Sequence, residues 1–158
     1  MIFARILATT LLAAAAFGAQ AGGLEGFVGQ KPATLLKKEA PFAKAYRSAL
    51  KGADLPPWTR QLAGGFPAEA VELDGQTLIL ISACSRKGCT EERLYVFYEP
   101  GDQSITGFFF LPPDPDNPGD NRMAFSRWFG KMPTPARNEW LLERAMKDAQ
   151  PVSNLTNR

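Results

Sequence analysis

The sequence predicts an α+β fold, a central antiparallel β-sheet flanked by helices, with a disulfide-closed loop protruding between two of the strands. Three observations predict it. The middle of the chain holds runs of aliphatic and aromatic residues divided by turn formers, at residues 76–83, 93–98 and 104–111, which is the composition of strands. Apolar residues recur at helical spacing on either side of that block, at Phe42, Tyr46 and Leu50 and again at Trp140, Leu141, Ala145 and Met146. The two cysteines of the chain fall between the first two runs, in the stretch Cys84-Ser85-Arg86-Lys87-Gly88-Cys89.

The elements follow in chain order. Met1-Ile2-Phe3-Ala4-Arg5 is a short cationic start, residues 6–17 are apolar, and Ala19-Gln20-Ala21 is a small-x-small cleavage pattern. Residues 1–21 therefore read as a signal peptide and 22–158 as a single mature domain. A spanning helix needs roughly 20 apolar residues, more than any segment here offers, so no membrane insertion is expected. An exported chain with two cysteines fits a bacterial periplasm, which favours disulfides.

Thr34 is expected to cap a short helix through Leu35, Leu36 and Lys38. Pro41 either kinks that helix or opens a second one, whose stripe of Phe42, Tyr46 and Leu50 is core packing and which stops at Gly52. Prolines and glycines in Leu55-Pro56-Pro57-Trp58 and Ala63-Gly64-Gly65-Phe66-Pro67 make a connector whose Trp58 and Phe66 pack down onto the domain. Residues 69–73 alternate, Asp74-Gly75 is a hairpin turn, and the continuous run at 77–81 implies a strand covered on both faces. Pro100-Gly101-Asp102 turns the next strand into the third. Residues 112–120 are a surface loop whose aspartates lack calcium-loop spacing, so no metal site is expected. Residues 123–129, with Trp128, form a strand or a short helix, and Thr134 followed by Pro135 opens the final helix. Trp58 and Trp128 read as packing residues, and the tail after Pro151 as polar and frayed.

Charge and chemistry narrow the function. The 18 basic and 16 acidic residues nearly cancel, which argues against a nucleic-acid protein, and Lys37-Lys38 reads as a solvated helix face. Histidine is absent, which removes the commonest general base, the usual nucleophile triads and most zinc sites. Gly64-Gly65 lacks the further glycine and lysine of a phosphate loop. Glu91 and Glu92 are adjacent, so on a strand they face opposite ways and make a poor acid and nucleophile pair, and Asp114 and Asp116 lie across a connection from them. Four residues between the cysteines is not the two-residue spacing of a redox motif. The chain reads as a non-enzyme with no cofactor.

A bridge between Cys84 and Cys89 would hold Ser85, Arg86, Lys87 and Gly88 as one cationic protrusion at the lip of a hairpin. Such a loop loses little conformational entropy on entering an acidic cleft. The segments Leu55-Pro56-Pro57-Trp58, Gly64-Gly65, Val71-Glu72-Leu73-Asp74-Gly75, Ser82-Ala83-Cys84, Cys89, Arg93 and Thr106-Gly107-Phe108 occur in an order and spacing that resemble the Ivy family, the periplasmic inhibitors of vertebrate lysozyme. The resemblance implies an antiparallel sheet flanked by helices, a possible homodimer, and a disulfide-bridged loop inserted into the active-site cleft of a c-type lysozyme. There the loop blocks the sugar and pairs with the catalytic carboxylates.

The family's loop reads Cys-Lys-Pro-His-Asp-Cys, and its histidine reaches those carboxylates. Here Ser85 stands for the lysine, Arg86 for the proline, Lys87 for the histidine and Gly88 for the aspartate. A lysine or arginine satisfies a carboxylate pair with charged donors, whereas added positive charge opposes encounter with a basic animal lysozyme. Two further expectations stand beside lysozyme inhibition. One is an envelope binding module of the same fold with another target, such as a bacterial lytic cell-wall enzyme. The other is a binder without inhibitory activity.

Overall fold

The computed structural model describes residues 24–85, 89, 92–112 and 125–149. Residues 1–21, which the sequence reads as a signal peptide, together with Arg86, Lys87, Gly88, Glu91, Asp114, Asp116 and the tail after Pro151, lie outside the described residues. Two helices, α1 (Pro32–Lys38) and α2 (Ala40–Ala49), and a short 3-10 turn (Pro57–Arg60) precede the sheet. The strands are β1 (Gly64–Gly65), β2 (Glu69–Leu73), β3 (Gln76–Cys84), β4 (Arg93–Glu99), β5 (Ser104–Leu111) and β6 (Phe125–Gly130), and α3 (Pro135–Ala149) closes the order.

All pairings are antiparallel, in the order β1-β3-β4-β5-β6, with β2 also on β3. The α+β architecture is the one expected, and the alternating and continuous runs explain it. Along β3, Ile79, Ile81 and Ala83 join one core with Phe27, Leu35, Phe42 and Tyr46 from the α1 and α2 side. Leu78 and Leu80 join a second core with Tyr95, Phe97, Phe108 and Leu141 of α3. Period-two alternation with both faces buried is what makes the strand read as continuously apolar. Asp74 and Gly75 both have positive φ, 55° and 70°, the twisted two-residue turn that Asp-Gly favours.

Several expectations are corrected. Thr34 does not cap α1: the helix starts two residues earlier at Pro32, after Lys31, with no side-chain cap, because proline presets the first-turn φ and lacks an N–H to satisfy. Pro41 falls in the first turn of a separate helix, α2, the second of the two placements expected for it. Residues 125–130 form a strand, the first of the two forms expected for residues 123–129. Met146 is exposed, so the buried stripe of α3 is narrower than its apolar spacing suggests. Thr134 does cap α3, its Oγ1 accepting from the Arg137 N–H at 3.2 Å.

The edge strand beside β3 is interrupted. Gly64 and Gly65 pair with Cys84 and Ala83, and pairing resumes at Glu69 opposite Leu80. Three residues, Phe66 to Ala68, thus stand opposite two, a β-bulge. Ala68 leaves the ladder and exchanges backbone hydrogen bonds with the segment at Gly29 and Gln30, both at 2.8 Å. A Cβ on Gly65 would strike the Ser82 carbonyl oxygen, and its φ is +140°. Only glycine lets this edge lie so close to β3.

The three tyrosines of the chain yield a pH prediction. Burial pushes the Tyr46 and Tyr95 hydroxyls far above their ordinary range, and burial also raises Tyr98. A phenol whose folded pKa exceeds its unfolded value of about 10 stabilises the fold fully below that pH and progressively less above it. Tyrosinate absorbance should therefore stay flat through pH 10, and the Tyr46 and Tyr95 parts of it should appear only together with alkaline unfolding. A rise at pH 10 with native circular dichroism would contradict this.

Candidate functional site

The disulfide marks the site. Cys84 is the last residue of β3, and it bonds Cys89 across a Cα separation of 4.9 Å. β3 and β4 are the central strands, and Cys84 pairs with Gly64 on one side and Arg93 on the other. The loop is thus carried by the best-supported end of the sheet. Of the residues expected to make contact, Ser85 is buried, and Arg86, Lys87 and Gly88 lie outside the described residues.

The β4 side of the loop is braced. On the descending leg the Trp58 indole N–H donates to the Glu92 carboxylate, and the indole also packs on Phe109 at 6.4 Å between centroids. The connector therefore reaches across 34 residues to hold the foot of the loop. Trp58 packs against the first core and Trp128 against the second, in keeping with a packing role for both. Trp128 stacks on Phe108 at 4.4 Å.

Beneath the disulfide, Arg93 is buried and directs its guanidinium to the last turn of α3. It donates to the Asp148 carbonyl and lies 3.6 Å from the Asp148 carboxylate. The same carboxylate accepts from Tyr95 at 2.9 Å and from Arg144 Nε at 3.1 Å, and Arg144 reaches on to Glu69 at 2.9 Å. The network ties β2, β4 and α3 together on the face of the sheet that α3 covers. Arg93 Nε is buried without a hydrogen-bond partner, so the network is satisfied only in part.

Trp58→Phe should separate the brace from the core. It keeps an aromatic ring but leaves the half-buried Glu92 carboxylate without its donor, at a cost of about 1.5–3 kcal/mol. Glu92→Gln keeps an acceptor and should cost under about 1 kcal/mol. Urea midpoints for the two variants check this, and equal losses would rule out the hydrogen bond as the relevant contact.

Among the described residues there is no group of three or more histidine, cysteine or carboxylate side chains arranged to hold a metal ion. Glu92 is engaged by Trp58, and Asp114, Asp116 and Glu91 are outside the described residues. No helix among the described residues is long and apolar enough to cross a membrane.

No family model matches the chain. A Pseudomonas aeruginosa protein described as uncharacterized is 27% identical over 118 residues, spanning 72% of this chain and 76% of its own length. The likeness covers most of both chains and carries no activity with it.

Proposed function

We propose that this chain is an exported, periplasmic protein inhibitor of a c-type lysozyme or a related glycan-cleaving enzyme, acting by inserting the Cys84–Cys89 loop into an acidic active-site cleft. The observation that carries the reading is the disulfide that ties the last residue of β3 to Cys89 in the connection to β4, with Arg86 and Lys87 between its cysteines in the sequence. A braced, closed loop with two adjacent cations suits a cleft whose chemistry depends on a protonated and an ionised carboxylate. Lys87 occupies the position from which the family's histidine reaches those groups, and its ammonium supplies three donors. Ser85, being buried, forms the foot of the loop rather than its tip.

The substitution of lysine for histidine favours a second target within the same reading. A bacterial lytic cell-wall enzyme with the same carboxylates and a less basic surface would be approached without long-range repulsion.

The test is competition for the cleft. Calorimetric titration of the oxidised protein into c-type lysozyme should give a complex of one to one, and saturating the cleft with a chitin oligosaccharide should abolish it. A complex that forms equally well with the cleft filled would be binding without insertion and would overturn the mechanism.

A further inference from the structure

Six large apolar side chains are exposed among the described residues, and two of them, Phe66 and Phe125, are aromatic. Both sit at the disulfide end of the sheet. Phe66 lies in the edge bulge, its N–H bonded to the Ser82 carbonyl at 3.0 Å, two residues before Cys84. Phe125 begins β6 opposite Leu111, level with the start of β4 through the pair of Phe110 with Arg93. Phe66 is 50% exposed and Phe125 44%.

Neither is a loose surface side chain. A bulge re-aims the residues it carries, and here it departs from the register that would have continued Gly64-Gly65 along β3. The Phe125 ring meets Phe109 edge-on at 6.4 Å and lies 5.5 Å under the Arg127 guanidinium. Arg127 is fixed in turn, donating to the Asp54 carbonyl at 2.8 Å with the Asp54 carboxylate 3.5 Å away. An aromatic paired with a held arginine is the composition of an interface hot spot, with its ordering cost already met by the fold.

Covalent geometry adds the decisive constraint. Two residues on each side of the apex carry a loop at most about 7 Å beyond its cysteines. A cation at that tip reaches carboxylates on a cleft floor only if the end of the sheet itself presses on the cleft's walls. β1 and β6 stand four strand spacings apart, about 19 Å, with the disulfide between them.

We infer that Phe66 and the Phe125–Arg127 pair are a second contact surface, seating on the two walls of the target's cleft on either side of the disulfide. The inference rests on the proposed inhibitor function. The occupant is a glycan-cleaving enzyme whose acidic floor, which takes the loop's cations, is flanked by apolar walls that take the two phenylalanines; the Arg127 charge is balanced locally by Asp54.

The test measures the affinity of oxidised full-length mature protein for c-type lysozyme, with Phe66→Ala, Phe125→Ala and, as control, Met132→Ala. Met132 follows β6 at the opposite end of the sheet and is 73% exposed. Each phenylalanine variant should bind about tenfold more weakly while remaining folded, Phe125→Ala at a somewhat lower urea midpoint because its ring packs on Phe109, and Met132→Ala stays within about twofold. Wild-type binding that survives both phenylalanine substitutions would overturn the second surface and leave the inhibitor function standing. Failure of the wild-type protein itself to bind lysozyme would instead remove the inhibitor reading and this inference with it.

Discussion

Arg137→Ala is expected to cost about 3–5 kcal/mol of stability, the largest loss of any single side-chain truncation outside the apolar cores. Arg137 is a charged residue on α3 with a side chain only 5% exposed. Its Nη2 donates to Gln76 at 2.6 Å and lies 3.3 Å from Glu99, whose side chain is 12% exposed. Its Nε lies 3.4 Å from Asp74 as an ion pair without a hydrogen bond. One guanidinium thus joins α3, the β2–β3 turn and the end of β4. Truncation leaves the Glu99 carboxylate buried, with Lys131 at 3.6 Å as its remaining cation.

The cost is that of an uncompensated buried charge rather than the net worth of the pair. The double variant Arg137→Met with Glu99→Gln should therefore recover most of the loss, since it removes both charges and keeps the volume. Urea unfolding measures both. A single variant within 1 kcal/mol of wild type would show that the pair is solvated, and a double variant as unstable as the single would show that Arg137 acts through packing.

Lys87→Ala carries the largest expected effect on function. If the ammonium pairs with a desolvated carboxylate in the cleft, truncation costs about 2–5 kcal/mol, a weakening of about thirtyfold or more, expressed mainly as faster dissociation. Lys87→Arg should retain most of the affinity, because the guanidinium offers charged donors to the same oxygens. Salt separates this local attraction from the global field. The chain is close to neutral overall and only its loop cations oppose a basic lysozyme, so raising ionic strength should speed association modestly while leaving dissociation nearly unchanged. An affinity unmoved by Lys87→Ala would take the contact away from that residue.

Much of this architecture is legible in the sequence. β3, β4 and β5 announce themselves because both faces of the sheet are covered, and the Asp74-Gly75 turn because its two positive φ angles suit those residues. Thr134 and Pro135 mark the start of α3 correctly. What is not legible depends on contacts distant in the chain. Gly64-Gly65 reads as a breaker, yet its lack of side chains is what lets it pair against Cys84 and Ala83.

Phe66 reads as a packing residue because apolar side chains usually are, while the bulge and the 2.8 Å pairing of Ala68 with Gln30 leave it half exposed. Glu92 reads only as a poorly placed acid until Trp58 is brought to it from 34 residues away. The loop's closure is anticipated from export and cysteine count, and its position at the end of the central strands follows from the two apolar runs that flank it. Arg137 gives no local signal at all: charged, on an amphipathic helix, it is buried only because three elements supply partners.

The central claim is tested most directly by the lysis of cell-wall substrate by a c-type lysozyme titrated with the oxidised protein, residues 22–158. Activity should fall linearly to zero at one equivalent, and prior reduction of the Cys84–Cys89 bridge should blunt the fall. Full lytic activity at a large molar excess of oxidised protein would contradict lysozyme inhibition.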